Sequence, residues 1–364
     1  MTGIDTSWAE LHRIARTSSI AVYTFCCNHY WLCTITMGRW RQYAGVHGYD
    51  HVVLHDDSMS RDDALWSRYD AASILLGLGY TWVVSVDADT TVLRWEYSLE
   101  SWMALEREDL PNCAMPSNHG ESAGGIDTAL VVSRDRHLTG FIGAPRGPLN
   151  VGVFALRNSS LATHLLAWQR ERRAFMNASL TPDQDSFNTW YMRFASNPLK
   201  SPFMRMNQSG SITGDRVTLL RWCSGTRYFM CSHPERPSWI DILFKTSRPW
   251  EQVLDELVAK LSRKNIWVFH TLGMNQELKS KLEGIRSRTA HHDGSPRGTL
   301  PSFEEVIGKL YRRIDQANPI GTALTAPELD QPWQCSIRRR TMNTTLKCMP
   351  PCGCWPEEKT CVHH

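Results

Sequence analysis

The chain has 364 residues, a formal net charge of +3, and 21% charged against 42% hydrophobic residues. That balance provides no bulk electrostatic pull on nucleic acid, and no apolar run approaches the roughly 20 residues of a membrane-spanning helix. The length is enough to bury one large core or two smaller ones.

Residues 1–19 read as a helical lead-in, with Trp8, Leu11 and Ile14 at helical spacing. The run from Ile20 to Cys27 is apolar but too short for a secretory signal, so it reads as a first strand; any signal or anchor is expected to have been removed or never to have existed. The loop after it, Cys26 to Tyr30, lies where Rossmann-like sheets meet a nucleotide base, though it also fits a packed strand end with nothing bound. A helix over 36–47 stops at Gly48, a residue suited to the left-handed position after a helix. Strand 51–54 follows, then a helix over 63–78 with Asp62 as its N-cap.

Trp82 to Val86 is a short apolar, β-branched strand that breaks into Asp87-Ala88-Asp89-Thr90. The order so far, β-α-β-α-β, is that of a parallel, doubly wound sheet. Two carboxylates at the carboxyl end of such a strand sit where open α/β sheets bind ligands. They also leave coordination positions on a hard cation for phosphate oxygens. The pair reads as a metal–diphosphate site. Alone it fits two other readings: an exposed acidic turn, and the opening motif of haloacid-dehalogenase-like phosphatases, whose first Asp is a nucleophile.

Further on, strands are expected at 128–133 and 149–156, with loop at 141–148 and helices at 99–108 and 160–174. Thr181-Pro182-Asp183-Gln184-Asp185 has the order of a helix start, to run to about 194. Short strands at 217–220 and 228–231, a helix at 250–263 and a last strand, 266–269, lead to His270-Thr271-Leu272-Gly273. That last strand is apolar throughout, so it reads as central; if its end lies beside that of 82–86, His270 can reach an ion held by Asp87 and Asp89. The division that follows is a catalytic domain over 1–286, a linker over 287–301, and a C-terminal helix with a Cys-rich tail over 302–364.

Taken in order, these signals resemble a family. The segment Arg41 to Asp50 (RQYAGVHGYD), Leu65-Trp66-Ser67-Arg68, the Asp-x-Asp strand, Leu149 to Ser159 (LNVGVFALRNS), Asp183-Gln184 and His270-x-x-Gly273 are similar to the galactosyl/mannosyltransferase family of metal-dependent GT-A glycosyltransferases. That family includes fungal Golgi α-galactosyltransferases and plant xyloglucan xylosyltransferases, and the likeness covers residues 20–275. Asp183-Gln184-x-x-x-Asn188 is shared with glycogenin-like transferases. The resemblance implies an α/β, Rossmann-like GT-A fold with a mostly parallel sheet. It implies retaining transfer of a hexose or pentose from a nucleotide sugar, expected to be a UDP-sugar, to a glycan or glycoprotein.

By the same resemblance, Asp87, Asp89 and His270 hold Mn²⁺ or Mg²⁺, the imidazole favouring Mn²⁺ over Ca²⁺. Gln184 lies near the anomeric carbon, and Asp183 or Asp185 orients hydroxyls. Asp87, Asn150, Gly152, Thr24, Arg68 and Gly273 bind the donor. One departure concerns charge. Both families place Lys soon after His-x-x-Gly, whereas Met274-Asn275-Gln276 stand here, so the diphosphate's counter-charge falls to Arg68, Arg146 or Lys279.

Eleven cysteines and sequons at Asn158, Asn177, Asn207 and Asn343 point to an oxidising lumen, Golgi or ER, with a membrane reached only through an anchor absent from this chain. The tail cysteines Cys348, Cys352, Cys354 and Cys361 match no zinc-finger spacing and read as a small disulfide knot. Two alternatives stay open. A phosphatase needs a second acidic motif, for which Gly214-Asp215 is the nearest match. A non-catalytic carbohydrate-binding protein on a degenerate transferase fold is the other.

Overall fold

The computed structural model describes residues 4–27, 32–56, 58–93, 95, 98–100, 126–134, 149–175, 182–197, 200–206, 212–220, 228–231, 250–263, 266–270 and 302–317. Its centre is an eight-stranded sheet in the order β1-β3-β2-β4-β7-β6-β9-β8. The strands are β1 (Ile4–Ser7), β2 (Ile20–Cys27), β3 (Asp50–Asp56), β4 (Trp82–Val86), β6 (Ile126–Arg134), β7 (Leu149–Arg157), β8 (Met204–Met206) and β9 (Ile212–Leu220). All run the same way except β7 and β8, which are antiparallel to their neighbours. The fold is the Rossmann-like α/β arrangement expected.

Both faces of the sheet are buried, and the period-2 alternation of strand side chains sorts them. Val83 of β4 and Phe154 and Leu156 of β7 enter one core cluster, with Tyr69, Leu75, Leu161, Leu165 and Phe187 from the helices. Val84 and Val86, with Val153 and Ala155, enter the other, with Met37, Trp40 and Tyr43. Helices α2 (Arg61–Gly77), α3 (Ser160–Arg172) and α4 (Pro182–Trp190) therefore cover one face, and α1 (Leu32–His47) the other. Gly48 follows α1 at φ 73°, the left-handed position that its place in the sequence suggested.

Three expectations are corrected. The lead-in is not a helix: Ile4–Ser7 is edge strand β1, pairing parallel with β3, and only Trp8–Arg13 coils, as a 3-10 turn. Pairing with an open sheet edge satisfies more backbone than an isolated short helix can. Ser60, not Asp62, caps α2, its side chain accepting from Asp63 N at 3.1 Å. The apolar strand read as central to the main sheet is β11 (Ile266–His270), which lies between β10 (Tyr228–Cys231) and β5 (Thr90–Val92) in a separate three-stranded sheet. An apolar strand needs two covered faces and two paired edges, and a small second sheet provides them as well as a large one. The 141–148 loop, the 287–301 linker and the cysteine tail lie outside the described residues, as does the 99–108 helix beyond residue 100.

Two further helices, α5 (Trp250–Arg263) and α6 (Phe303–Ala317), bury Leu254 and Leu257, and Ile307, Leu310 and Ile314. Helix α6 packs against both α1 and α5.

Where the chain enters β2, β3 and β4, one carboxylate ties the three together. Asp50, 6% exposed, accepts from Thr17 N at 2.9 Å, Ser18 N at 3.1 Å and Tyr80 Oη at 2.8 Å, and from the Thr17 hydroxyl. Burial alone would push this carboxyl up, but the bonds from Thr17, Tyr80 and Ser18 hold it below the ordinary Asp range. A depressed folded value contributes stability above the unfolded pKa and loses it as pH falls through the folded one. Asp50→Asn is therefore expected to cost about 2 kcal/mol in urea unfolding at pH 7, and the gap to wild type should narrow as both are titrated into acid.

Candidate active site

Strand β4 ends at Val86, and the chain turns through Asp87-Ala88-Asp89 into β5. Because β7 runs antiparallel to β4, its start lies beside this end: Val86 pairs with Val153, and Asp87 N donates to Gly152 O at 2.8 Å. The reversal thus brings Asn150 and Gly152 to the carboxylate turn. Helix α4 adds its N-terminus from the same side, with Asn188 Oδ1 accepting from Leu149 N at 2.8 Å and Gln184 Oε1 from Val151 N at 3.4 Å.

Arg68, from α2, joins these pieces. It is 8% exposed and places Nη1 2.7 Å from Asp87 Oδ1 and Nε 3.6 Å from Asp183 Oδ2. It also donates to Val151 O at 3.2 Å and Leu65 O at 3.1 Å. Burial opposes its charge, but Asp87 and then Asp183 outweigh that and hold the guanidinium firmly protonated. Asp183 is 2% exposed and takes a bond from Tyr69 Oη at 3.4 Å. Burial pushes its carboxyl above the ordinary range, with Arg68 offsetting only part of the effect.

The carboxylate turn is held by its backbone. Val86 O accepts from Thr24 Oγ1 at 2.7 Å, Asp87 O from Thr90 N at 3.0 Å and Thr90 Oγ1 at 2.6 Å, Ala88 O from Thr36 Oγ1 at 2.6 Å, and Thr90 O from Trp40 Nε1 at 3.2 Å. A buried carbonyl without a partner costs about 1–3 kcal/mol. A turn this enclosed is tenable only with such donors around it, and they leave it one backbone path.

The structure brings buried Arg68, Asn150, Gly152, Asp183 and Gln184 together with half-buried Asp87, and Asp89 lies beside them at 6% exposure. Thr24 is adjacent, but its hydroxyl is committed to the end of β4. Asn150 Oδ1 accepts from Gly152 N at 2.9 Å, so its carbonyl shapes the local turn. Asp183 and Asp185, two residues apart on a helix, face about 200° apart, and Asp183 is the one turned to Arg68. The backbone of His270 pairs with Thr90, next to Asp89. Gly273, Arg146 and Lys279 lie outside the described residues.

Among the described residues no group of three His, Cys, Asp or Glu side chains is assembled as a cation cage. The residues that sequence reasoning missed are Tyr69, Thr36 and Trp40. They act on a carboxylate or on carbonyls, contacts that leave no spaced motif to read. Cys26 and Cys33 form a disulfide across the loop from β2 to α1.

The phosphatase alternative fails on position. Asp215 pairs with Arg157 at 2.8 Å and accepts from Ser160 Oγ at 3.0 Å, and Arg157 lies opposite Trp82, at the other end of β4 from Asp87. Its neighbour Gly214 is needed for shape: at φ 124°, a Cβ there would meet Phe203 O at 2.1 Å.

No protein-family model matches the chain, and no curated protein does. Among solved structures, a glycosyltransferase involved in the glycosylation of the major capsid of PBCV-1 aligns with a TM-score of 0.37 and 10% identity, over 70% of this chain and 93% of that one. So loose a likeness assigns no activity; the residues have to do that.

Removing Arg68 leaves Asp183 buried without a cation, with the Tyr69 hydroxyl and backbone N–H groups as its partners. Arg68→Met is expected to destabilise the chain by about 3–5 kcal/mol at pH 7 in urea unfolding. The loss should be smaller near pH 5, because the abandoned carboxyl can then take up a proton. Asp183→Asn should cost less, and the double variant less than the two losses added.

Proposed function

We propose that this chain is a glycosyltransferase that moves a hexose or pentose from a nucleoside-diphosphate sugar, a UDP-sugar in the first instance, to a glycan or glycoprotein. The observation that carries it is the meeting of Asp87-Ala88-Asp89, Asn150-Val151-Gly152 and Asp183-Gln184 around Arg68 at the carboxyl edge of β4. Segments far apart in sequence, each matching the motif order of the galactosyl/mannosyltransferases, occupy one buried polar cluster. That edge is where open α/β sheets bind nucleotides.

Asp87 and Asp89 are the proposed holders of Mn²⁺ or Mg²⁺. Their oxygens are the hard donors such ions take, and Asp87 already faces a cation at 2.7 Å, so its surroundings tolerate positive charge. His270 is proposed as the third holder, and Gly273 as a donor contact, from the sequence resemblance. Such an ion, when bound, stabilises the negative charge that develops on a departing diphosphate.

The chain's own residues do the rest. Arg68, kept charged by Asp87 and Asp183, is proposed for the diphosphate's counter-charge, the role that the absence of Lys just after His270-x-x-Gly273 leaves open. Gln184, whose Oε1 accepts from Val151 N, is proposed from the resemblance to lie near the anomeric carbon and to offer its amide N–H groups to a sugar oxygen. Asp183 orients hydroxyls through the same buried network, with Asp185 as the other candidate for that role. Retention of configuration, the sugar and the acceptor follow the resemblance. The Cys26–Cys33 disulfide favours an oxidising lumen, Golgi or ER, as the place of work.

The test is release of nucleoside diphosphate from a panel of nucleotide sugars with Mn²⁺, which needs no acceptor. Wild type should turn over at least one donor, and Asp87→Ala and Asp89→Ala should lower the rate about 100-fold or more with the fold retained by circular dichroism. A protein that binds glycans yet releases no diphosphate from any donor would be the non-catalytic alternative.

A further inference from the structure

A side chain from far along the chain anchors the turn that carries Asp87 and Asp89. Tyr311, 1% exposed on α6, donates its hydroxyl to Asp89 O at 3.0 Å, across 222 residues. The neighbouring carbonyls of Val86, Ala88 and Thr90 are held from β2 and α1, and that of Asp87 by Thr90 itself.

A second tie runs in parallel. Arg39 of α1 donates Nε to Val92 O, stacks 4.4 Å above Trp95, and is itself held by Asp315 of α6 through Nη1 at 2.6 Å. Helix α6 is in turn fixed to α5 by Lys309–Glu251 at 3.6 Å and Arg313–Asp255 at 3.1 Å. It is therefore braced from its far side as well.

We propose that Tyr311 is a positioning residue for the Asp87–Asp89 pair, so that α6 completes the site. A residue's carbonyl and side chain leave the same Cα. Fixing the Asp89 carbonyl fixes the peptide plane that follows it, and with it constrains the Cα–Cβ direction from which the Asp89 carboxylate extends. This inference rests on reading the pair as a cation and diphosphate site, but the anchoring can be measured apart from that reading.

The experiment uses the full chain with Tyr311→Phe, which removes one hydroxyl and keeps the buried ring. Hydrogen exchange of the 86–93 segment and titration of Mn²⁺ in the presence of UDP are compared with wild type and with Arg312→Ala, an exposed change on the same helix. Exchange at 87–92 is expected to quicken about threefold or more, and Mn²⁺ binding to weaken about 3- to 10-fold. The melting temperature should stay within about 3 °C, and Arg312→Ala should alter none of these.

Wild-type exchange and Mn²⁺ binding in Tyr311→Phe would overturn the proposal. If that variant opens throughout, Asp315→Asn loosens the parallel tie with Tyr311 intact. Quickened exchange confined to 87–92 then supports the role of α6, and unchanged exchange refutes it. A wild type that binds neither Mn²⁺ nor UDP, with exchange at 87–92 still dependent on Tyr311, defeats the reading of the site and leaves the anchoring standing.

Discussion

A single guanidinium, sealed from water, sits between two carboxylates that come from different parts of the chain. Arg68 can stay charged at 8% exposure because Asp87 and Asp183 face it, with further bonds from Nη1 to Val151 O and from Nε to Leu65 O. The dependence is mutual, since Asp183 would otherwise be a lone buried acid. Helix α2, the end of β4, the start of β7 and the first turn of α4 cannot shift independently without separating these charges. A buried ion pair adds little to stability against an apolar alternative. What it supplies here is register, fixing which residues meet at the sheet edge.

That edge is otherwise built by strand direction. Parallel β2 and β4 both deliver their carboxyl ends to it, and the antiparallel β7 delivers its start. The LNVG segment therefore arrives beside the Asp-x-Asp turn although 60 residues lie between Asp89 and Asn150. Once there, Gly152 and Asp87 share a backbone bond, and the turn departs into a second small sheet instead of ending in solvent. The carboxylates are thus mounted on a bridge between two sheets.

The α/β alternation was legible because it rests on local signals: Gly48 at a positive φ, β-branched runs at β4 and β7, and the Pro-Asp start of α4. The candidate site segments were legible too, since each sets polar residues at one end of an apolar strand or at a helix start. What escaped was non-local. Nothing in residues 4–7 announces that an open edge of β3 awaits them, and nothing in β11 says which sheet it joins. The donors of Thr36, Trp40 and Tyr69 were invisible for a related reason. Thr, Trp and Tyr at helical spacing read as ordinary packing, and only the folded path of another segment turns them into partners.

The bracing of the carboxylate turn by α6 has a consequence in time as well as in space. Contacts between residues widely separated in sequence form late, because a long loop must close before they are rewarded. The bond from Tyr311 to Asp89 spans 222 residues, so during synthesis β2, α1, β3, α2 and β4 are all made well before the helix that meets them. A nascent chain can assemble this half of the sheet with the acidic turn braced on one side only. The fully braced form of the acidic turn is then among the last features the folding chain completes.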